Sequence, residues 1–202
     1  MIAREQDPAE RAAFQATIAA LDPTQVVVLD ETSPPTTLTP RRARAPRGER
    51  AVGRVPRGRW ATVTLLATMT LAGMGEAVQF PGARDRDVFA PFIEEWLVPT
   101  LRPGQTVSWD NLSVHQSARA RQAIEAAGCQ LLPIPRSSPD GHPIEQAFSK
   151  LKPALRRAEA RTFDALVTAT GEAFTTMTPD DARSFFTAAG YQVTGQSLGI
   201  LL

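Results

Sequence analysis

The run Gln25–Asp30, QVVVLD, limits the fold more than any other stretch of the chain. Val26, Val27, Val28 and Leu29 are apolar in succession. Successive strand side chains point to opposite faces, so a strand made of these residues must be covered on both sides. That places it inside a sheet with helices packed above and below. An acid, Asp30, closes the run.

The rest of the chain supplies the other layers. Residues 5–20 read as a short helix, with Ala13, Ile18 and Leu21 apolar among charges and no breaker before Pro23. After a Pro/Thr-rich turn and an Arg-rich segment, Trp60–Leu71 alternates Thr with apolar residues and reads as a strand, and Glu76–Phe80 pairs back beyond a glycine turn. Asp85–Leu97 predicts an amphipathic helix with Val88, Phe89, Phe92, Ile93, Trp96 and Leu97 on one broad face. Gln105–Asp110 and Cys129–Ile134 are short strands, with a helix over Ser117–Ala127 between them. Pro143–Arg157 repeats Ile144, Phe148, Leu151 and Leu155 at helical spacing, although Pro153 should kink or end that helix near Lys150. Helices near Thr162–Thr176 and Pro179–Ala188 complete the chain. Three strands in series followed by strand–helix alternation predict an α/β protein with a mixed sheet flanked by helices.

Composition narrows the function classes. At 202 residues with 43% hydrophobic content, the chain makes one globular domain. A single cysteine, Cys129, excludes an internal disulfide framework and a Cys-rich zinc site, and reads as a small buried hydrophobe. No stretch has the length and apolarity of a membrane span, and residues 1–14 lack the apolar core of a signal peptide. The expected location is cytoplasmic, nucleoid-associated when bound to DNA. The net charge of +1 conceals an uneven distribution: residues 41–59 hold eight Arg and one Glu. Arg41, Arg42, Arg44, Arg47, Arg50, Arg54, Arg57 and Arg59 thus form a one-signed segment broken by Pro and Gly, suited to a DNA-binding arm that grips phosphates, with a solvated charged face as the ordinary alternative. No aromatic residue interleaves with it, so base stacking is not indicated there.

Three acids occupy informative places. Asp30 and Asp110 end strands, and Glu145 opens a helix just after Pro143. In an α/β sheet, ligands gather beyond strand ends and at helix starts. Three carboxylates brought together repel one another, and a hard divalent cation relieves the repulsion. Each acid also has an ordinary alternative as a turn or cap residue, and Glu145 suits the positive end of a helix dipole.

The acids sit inside three blocks: VVVLDET; DNLSVH at 110–115; and SPD-x-x-PIE-x-x-x-S-K-L-K at 138–152, with 34 residues between Asp110 and Glu145. Together these blocks resemble the catalytic domain of insertion-sequence-630-type transposases, grouped with the mariner-like elements among the DDE transposases. The resemblance covers roughly residues 25–191. It implies an RNase H-like fold, a five-stranded mixed sheet flanked by helices on both faces. It implies Asp30, Asp110 and Glu145 as catalytic residues and ligands of two Mg²⁺ or Mn²⁺ ions. The implied activity is metal-dependent DNA cleavage at transposon ends and strand transfer into target DNA. Glu31 is not expected among the ligands, because it points to the opposite face from Asp30. Asn111 and His115 would orient ligands or meet the scissile strand, with a structural or surface histidine as the alternative for His115. His142 stands where the family usually has an Asn helix cap, and Ser138 where it tends to have Tyr. Lys150 and Lys152 would meet phosphate, or else form a solvated helix face.

The expected organisation is a helix and linker remnant over 1–24, the catalytic domain over 25–191 with 41–59 as a basic insertion, and a tail over 192–202. With the first acid at position 30, end recognition by a helix-turn-helix module is expected to lie elsewhere, the chain being either the downstream half of a split or frameshifted transposase or a truncated copy. A homodimer would pair two element ends. Two alternatives stay open: a stand-alone RNase H-like nuclease, and an inactive DNA-binding relic.

Overall fold

The computed structural model describes residues 7–40, 42–52, 62–82, 86–110, 117–136 and 138–193. The elements run α1 (Pro8–Ala20), β1 (Val26–Thr32), β2 (Val63–Thr70), β3 (Gly73–Pro81), α2 (Arg86–Phe92), β4 (Thr106–Asp110), α3 (Ala118–Ala126), β5 (Gln130–Ile134), α4 (Pro143–Ala158), α5 (Phe163–Thr175) and α6 (Pro179–Ala189). The strands make one mixed sheet in the order β3-β2-β1-β4-β5. β1 lies at its centre, antiparallel to β2 and parallel to β4, and β5 continues parallel to β4. Every residue of β1 is buried, as the uninterrupted apolar run requires. This is the five-stranded, helix-flanked sheet of the RNase H-like fold.

Alternation along the central strands divides the interior into two cores. Val26 and Val28 face a core shared with Phe14 and Ile18 of α1, the apolar stripe of α4, and residues of α5 and α6. Val27 and Leu29 face a second core with Phe89, Phe92 and Ile93 on one side and Val107, Trp109 and Ile124 on the other. Helix α1, within the segment set apart as helix and linker, is therefore built into the first core. Arg11 on α1 also forms a bidentate ion pair with Asp140, in the loop before α4.

Two local expectations need correction. Trp96 does not lie on the buried face; it is 51% exposed. The helix begun by α2 widens into a π turn over Ile93–Leu97, two residues after Pro91, which has no N–H to donate. The wider turn keeps Ile93 and Leu97 buried and rotates Trp96 outward. Pro153 does not end its helix either, for α4 continues through it to Ala158. Ile144, Phe148, Leu151 and Leu155 are all at most 1% exposed on both sides of the proline. Burying each contributes about 2 kcal/mol, which together outweighs a proline penalty of about 3 kcal/mol.

Candidate active site

The site is built at the C-terminal ends of β1 and β4. Because Val26, Val28 and Asp30 share one face of β1, Asp30 is carried to the α4 side of the sheet. By the same alternation, Val107 and Trp109 fill the second core, so Thr106, Ser108 and Asp110 face α4. The parallel register pairs Leu29 with Trp109. Carried one residue further, it sets Asp30 beside Asp110, on strands about 4.8 Å apart. Asp30 is 5% exposed, and Asp110 is half-buried. The Asp30 Oδ1 atom accepts a hydrogen bond from the Glu31 backbone N–H at 2.7 Å, which fixes the carboxylate against its own strand end. Glu31 is directed to the opposite face, as alternation dictates.

Glu145 arrives on α4. Pro143 starts the helix, and Glu145 sits in its first turn, where its carboxylate meets the positive end of the helix dipole. The cap residue, His142, makes no side-chain cap bond. Its imidazole turns instead toward the sheet, with Nδ1 3.7 Å from the Asp30 Oδ2 atom, and both side chains are buried. The residue in the Asn position thus sits beside the first acid at the start of α4. Gly141, just before it, is packed against Phe14, so α1 backs this junction.

Among the described residues no group of three His, Cys, Asp or Glu side chains is drawn together tightly enough to enclose a metal ion. The structure sets His142 beside Asp30, with Glu145 three residues further along α4, while Asp110 follows the residue of β4 that pairs with Leu29. The acids are oxygen donors, the set that suits Mg²⁺ or Mn²⁺ rather than a soft metal.

The remaining sequence candidates divide. Arg42, Arg44, Arg47 and Arg50 are exposed and carry no regular structure. Arg41, Arg54, Arg57, Arg59, Asn111 and His115 lie outside the described residues. Lys150 Nζ is 2.6 Å from the Asp181 carboxylate, which also closes the capping box of α6. This pairing holds Asp181 below the usual carboxylate range, with the Thr178 backbone N–H adding to the effect. Lys152 is half-buried on α4. Ser138 is buried just before the turn that leads into α4. Sequence reasoning missed Arg161, whose Nη1 donates to the Leu38 carbonyl at 2.8 Å and the Thr36 carbonyl at 3.3 Å. It clamps the root of the Arg-rich segment to the end of α4; no local pattern announces a contact across more than a hundred residues. Cys129 is buried as expected, and burial pushes its thiol up.

No described helix is long and apolar enough to cross a membrane. No curated protein matches the sequence. Solved structures resemble the fold. The mariner Mos1 paired end complex with Mg superposes with a TM-score of 0.74 at 14% identity, covering 93% of this chain and 61% of that one. The pre-cleavage Mos1 transpososome gives 0.67 at 14% identity, covering 96% and 66%. The isolated catalytic domain of Mos1 mariner transposase gives 0.63 at 13% identity, covering 96% and 98%. This chain therefore spans less than two-thirds of the transposase chains in those complexes and nearly all of the isolated catalytic domain. The sequence profile of the DDE superfamily endonuclease family matches residues 25–167, an interval that contains Asp30, Asp110 and Glu145. The chain belongs to the DDE superfamily endonuclease family.

Proposed function

We propose that this chain is the catalytic core of a transposase, cleaving DNA at transposon ends and joining the freed end to target DNA. What supports the reading is the parallel pairing of β1 with β4, in which Asp30 and Asp110 each follow the paired residues Leu29 and Trp109, together with the position of Glu145 in the first turn of α4, whose apolar stripe packs in the same core as Val26 and Val28. The catalytic unit is residues 25–191, with 41–59 as a basic insertion between β1 and β2, and with α1 bracing its core. The similar structures include a Mos1 complex with Mn, a paired-end complex with Mg and a strand transfer complex, which agrees with divalent-metal DNA chemistry for this chain.

Asp30, Asp110 and Glu145 would hold two Mg²⁺ or Mn²⁺ ions. Such ions, when bound, activate an attacking oxygen and stabilise a leaving oxygen. The protein's own part is positional. The Glu31 N–H and His142 keep Asp30 in place, β4 holds Asp110 at the adjacent strand end, and the packed stripe of α4 fixes the approach of Glu145. The exposed Arg residues of the arm neutralise phosphates and retain the substrate. DNA is the macromolecular partner. A second copy of this chain pairs the two ends, and a helix-turn-helix half supplies end recognition.

Activity on element-end DNA, supplied with the helix-turn-helix half, tests the reading. Asp110→Asn should lower Mg²⁺-dependent cleavage more than about a hundredfold, the effect of losing several kcal/mol of transition-state stabilisation, with an unchanged melting profile. Full activity in that variant would remove Asp110 from the site. Joined products support strand transfer; nicked products alone support a hydrolytic nuclease.

A further inference from the structure

Two buried hydroxyls on the α4 side of the sheet have no part in the site described so far. Ser108 stands in β4 two residues before Asp110 and, by strand alternation, on the same face. It is fully buried, and its backbone lies between Val28 of β1 and Leu132 of β5. Tyr191 follows α6 and is 2% exposed. Gly190, at a φ of 107°, turns the chain there. The Tyr191 N–H donates to the Phe186 carbonyl at 3.0 Å, and the two rings meet edge to face at 5.0 Å. Tyr191 is thereby aimed into the first core, with its hydroxyl near that of Ser108. Neither hydroxyl oxygen has a hydrogen-bond partner among the described residues. The Gln15 side chain packs on both Gly190 and Gly141, so the Tyr191 turn and the approach to α4 are seated on the same residue of α1.

A buried hydroxyl without a partner costs free energy, and two that are neighbours outside hydrogen-bond geometry suit one water that both can bind. Each hydroxyl can donate one bond and accept others, so such a water is met from both sides. We infer that Tyr191 and Ser108 hold an ordered water that ties the end of α6 to β4, and that Tyr191 is thereby a positioning residue for Asp110. The inference rests on the metal-dependent DNA-cleaving reading above and adds a C-terminal residue to the support of the second acid. Ladder hydrogen bonds to β1 and β5 hold β4 within the plane of the sheet. Displacement along the sheet normal is left to packing and to the tie, which acts in that direction because α6 covers the face that carries Ser108. At about 3.3 Å per residue, the tie lies roughly 7 Å from Asp110 along the strand. It fixes the height of Asp110 below the helical layer from which Glu145 comes.

The test compares Tyr191→Phe, Ser108→Ala and the double variant in the full chain. Each single variant deletes one hydroxyl and strands the other, so the unfolding constant read in urea should rise about tenfold. The double strands nothing and should stay near the level of a single variant rather than reach the roughly hundredfold product. Mn²⁺ binding without DNA, measured by titration calorimetry well below the melting transition, reads the placement of Asp110. Its dissociation constant should rise about tenfold in each single variant, the low end for residues that orient metal ligands from behind. A tyrosine that only filled the core would lower stability and leave the Mn²⁺ affinity in place. A crystal structure should show one water within about 3.0 Å of both oxygens. A direct bond between the hydroxyls, a double that reaches the full product, or a Mn²⁺ affinity unchanged within about twofold in Tyr191→Phe overturns the inference. If Asp110→Asn loses Mn²⁺ binding and end-DNA cleavage while Tyr191→Phe keeps both, only the tie has failed. If the unsubstituted chain binds no Mn²⁺, or Asp110→Asn binds it equally well, the metal reading of the acids fails and the positioning role with it.

Discussion

Gly141 packs closely against α1 where the chain approaches α4, and Gly141→Ala tests how the site is braced. A Cβ at this position would lie 2.9 Å from Phe14 Cε1, 3.5 Å from Phe14 Cδ1 and 3.3 Å from Gln15 Nε2. Ordinary carbon contacts begin near 3.5 Å, so the ring must retreat by about half an ångström or more. Phe14 is only 5% exposed and belongs to the main core, which leaves it little room to turn aside. Overpacking of this kind costs about 1–3 kcal/mol. The loss is measured by urea unfolding followed by circular dichroism. Phe14→Leu alone removes ring atoms and costs roughly 1 kcal/mol by the area it no longer buries. In the double variant the added methyl occupies the space the ring has left, so the two losses should fall short of their sum by about 1–2 kcal/mol. Cleavage activity should fall with Gly141→Ala and return in the double, because the displaced backbone leads directly into His142 and Glu145. Additivity within about 0.5 kcal/mol, the behaviour of unconnected positions, would refute the contact.

Three further outcomes follow from the packing. Pro153→Ala restores a backbone donor in the middle of α4 at an exposed position, and should raise stability by about 1–3 kcal/mol in the same unfolding assay. Arg11 holds the Asp140 carboxyl below its usual range through their ion pair. A lowered folded-state value means that the stabilisation is present above the unfolded carboxylate range near pH 4 and is lost as pH falls through the folded value. Arg11→Gln should therefore cost up to about 1 kcal/mol at pH 7, as exposed pairs do, and almost nothing in strong acid, read as unfolding free energy against pH. Tyr191 is the one tyrosine of the chain, and burial pushes its phenol up to about 12 while the nearby Ser108 hydroxyl works the other way. Phenolate absorbance should appear near pH 12 in the folded protein and near pH 10 in denaturant. Because the folded value is raised, stability is full below about pH 10 and is lost as pH climbs toward 12.

Much of the architecture was legible because it is written in local period. The VVVL run, the Thr alternation of β2 and the 144–148–151–155 stripe each report their own environment. The expectation that Asp30 ends its strand needs correction, because β1 runs on through Glu31 to Thr32, where it still pairs with β2, whereas β4 does stop at Asp110. What resisted reading depends on distant partners. Nothing near Gly141 names Phe14, and nothing near Arg161 names Leu38. Trp96 and Pro153 misled for a related reason. Helical periodicity assumes a constant turn, which the π turn breaks, and proline propensity omits the core that holds α4 on both sides of it. Lys150 and Lys152 look alike in sequence, but the helix turns one toward Asp181 and leaves the other on the side of α4 that carries Glu145.

The separation of the three acids along the chain also sets an order in time. Asp30 and Glu145 are 115 residues apart, and β1 cannot complete its parallel pairing until β4 has been made. The β2–β3 hairpin closes over a few residues, whereas the β1–β4 pairing must close a loop of many tens, so the hairpin has the entropic advantage. A ribosome adding about 5–20 residues per second needs roughly 6–23 s to travel from the first acid to the last. During that interval the emerging chain already carries the whole Arg-rich segment, while the strand pairing that draws Asp110 toward Asp30 has not yet formed.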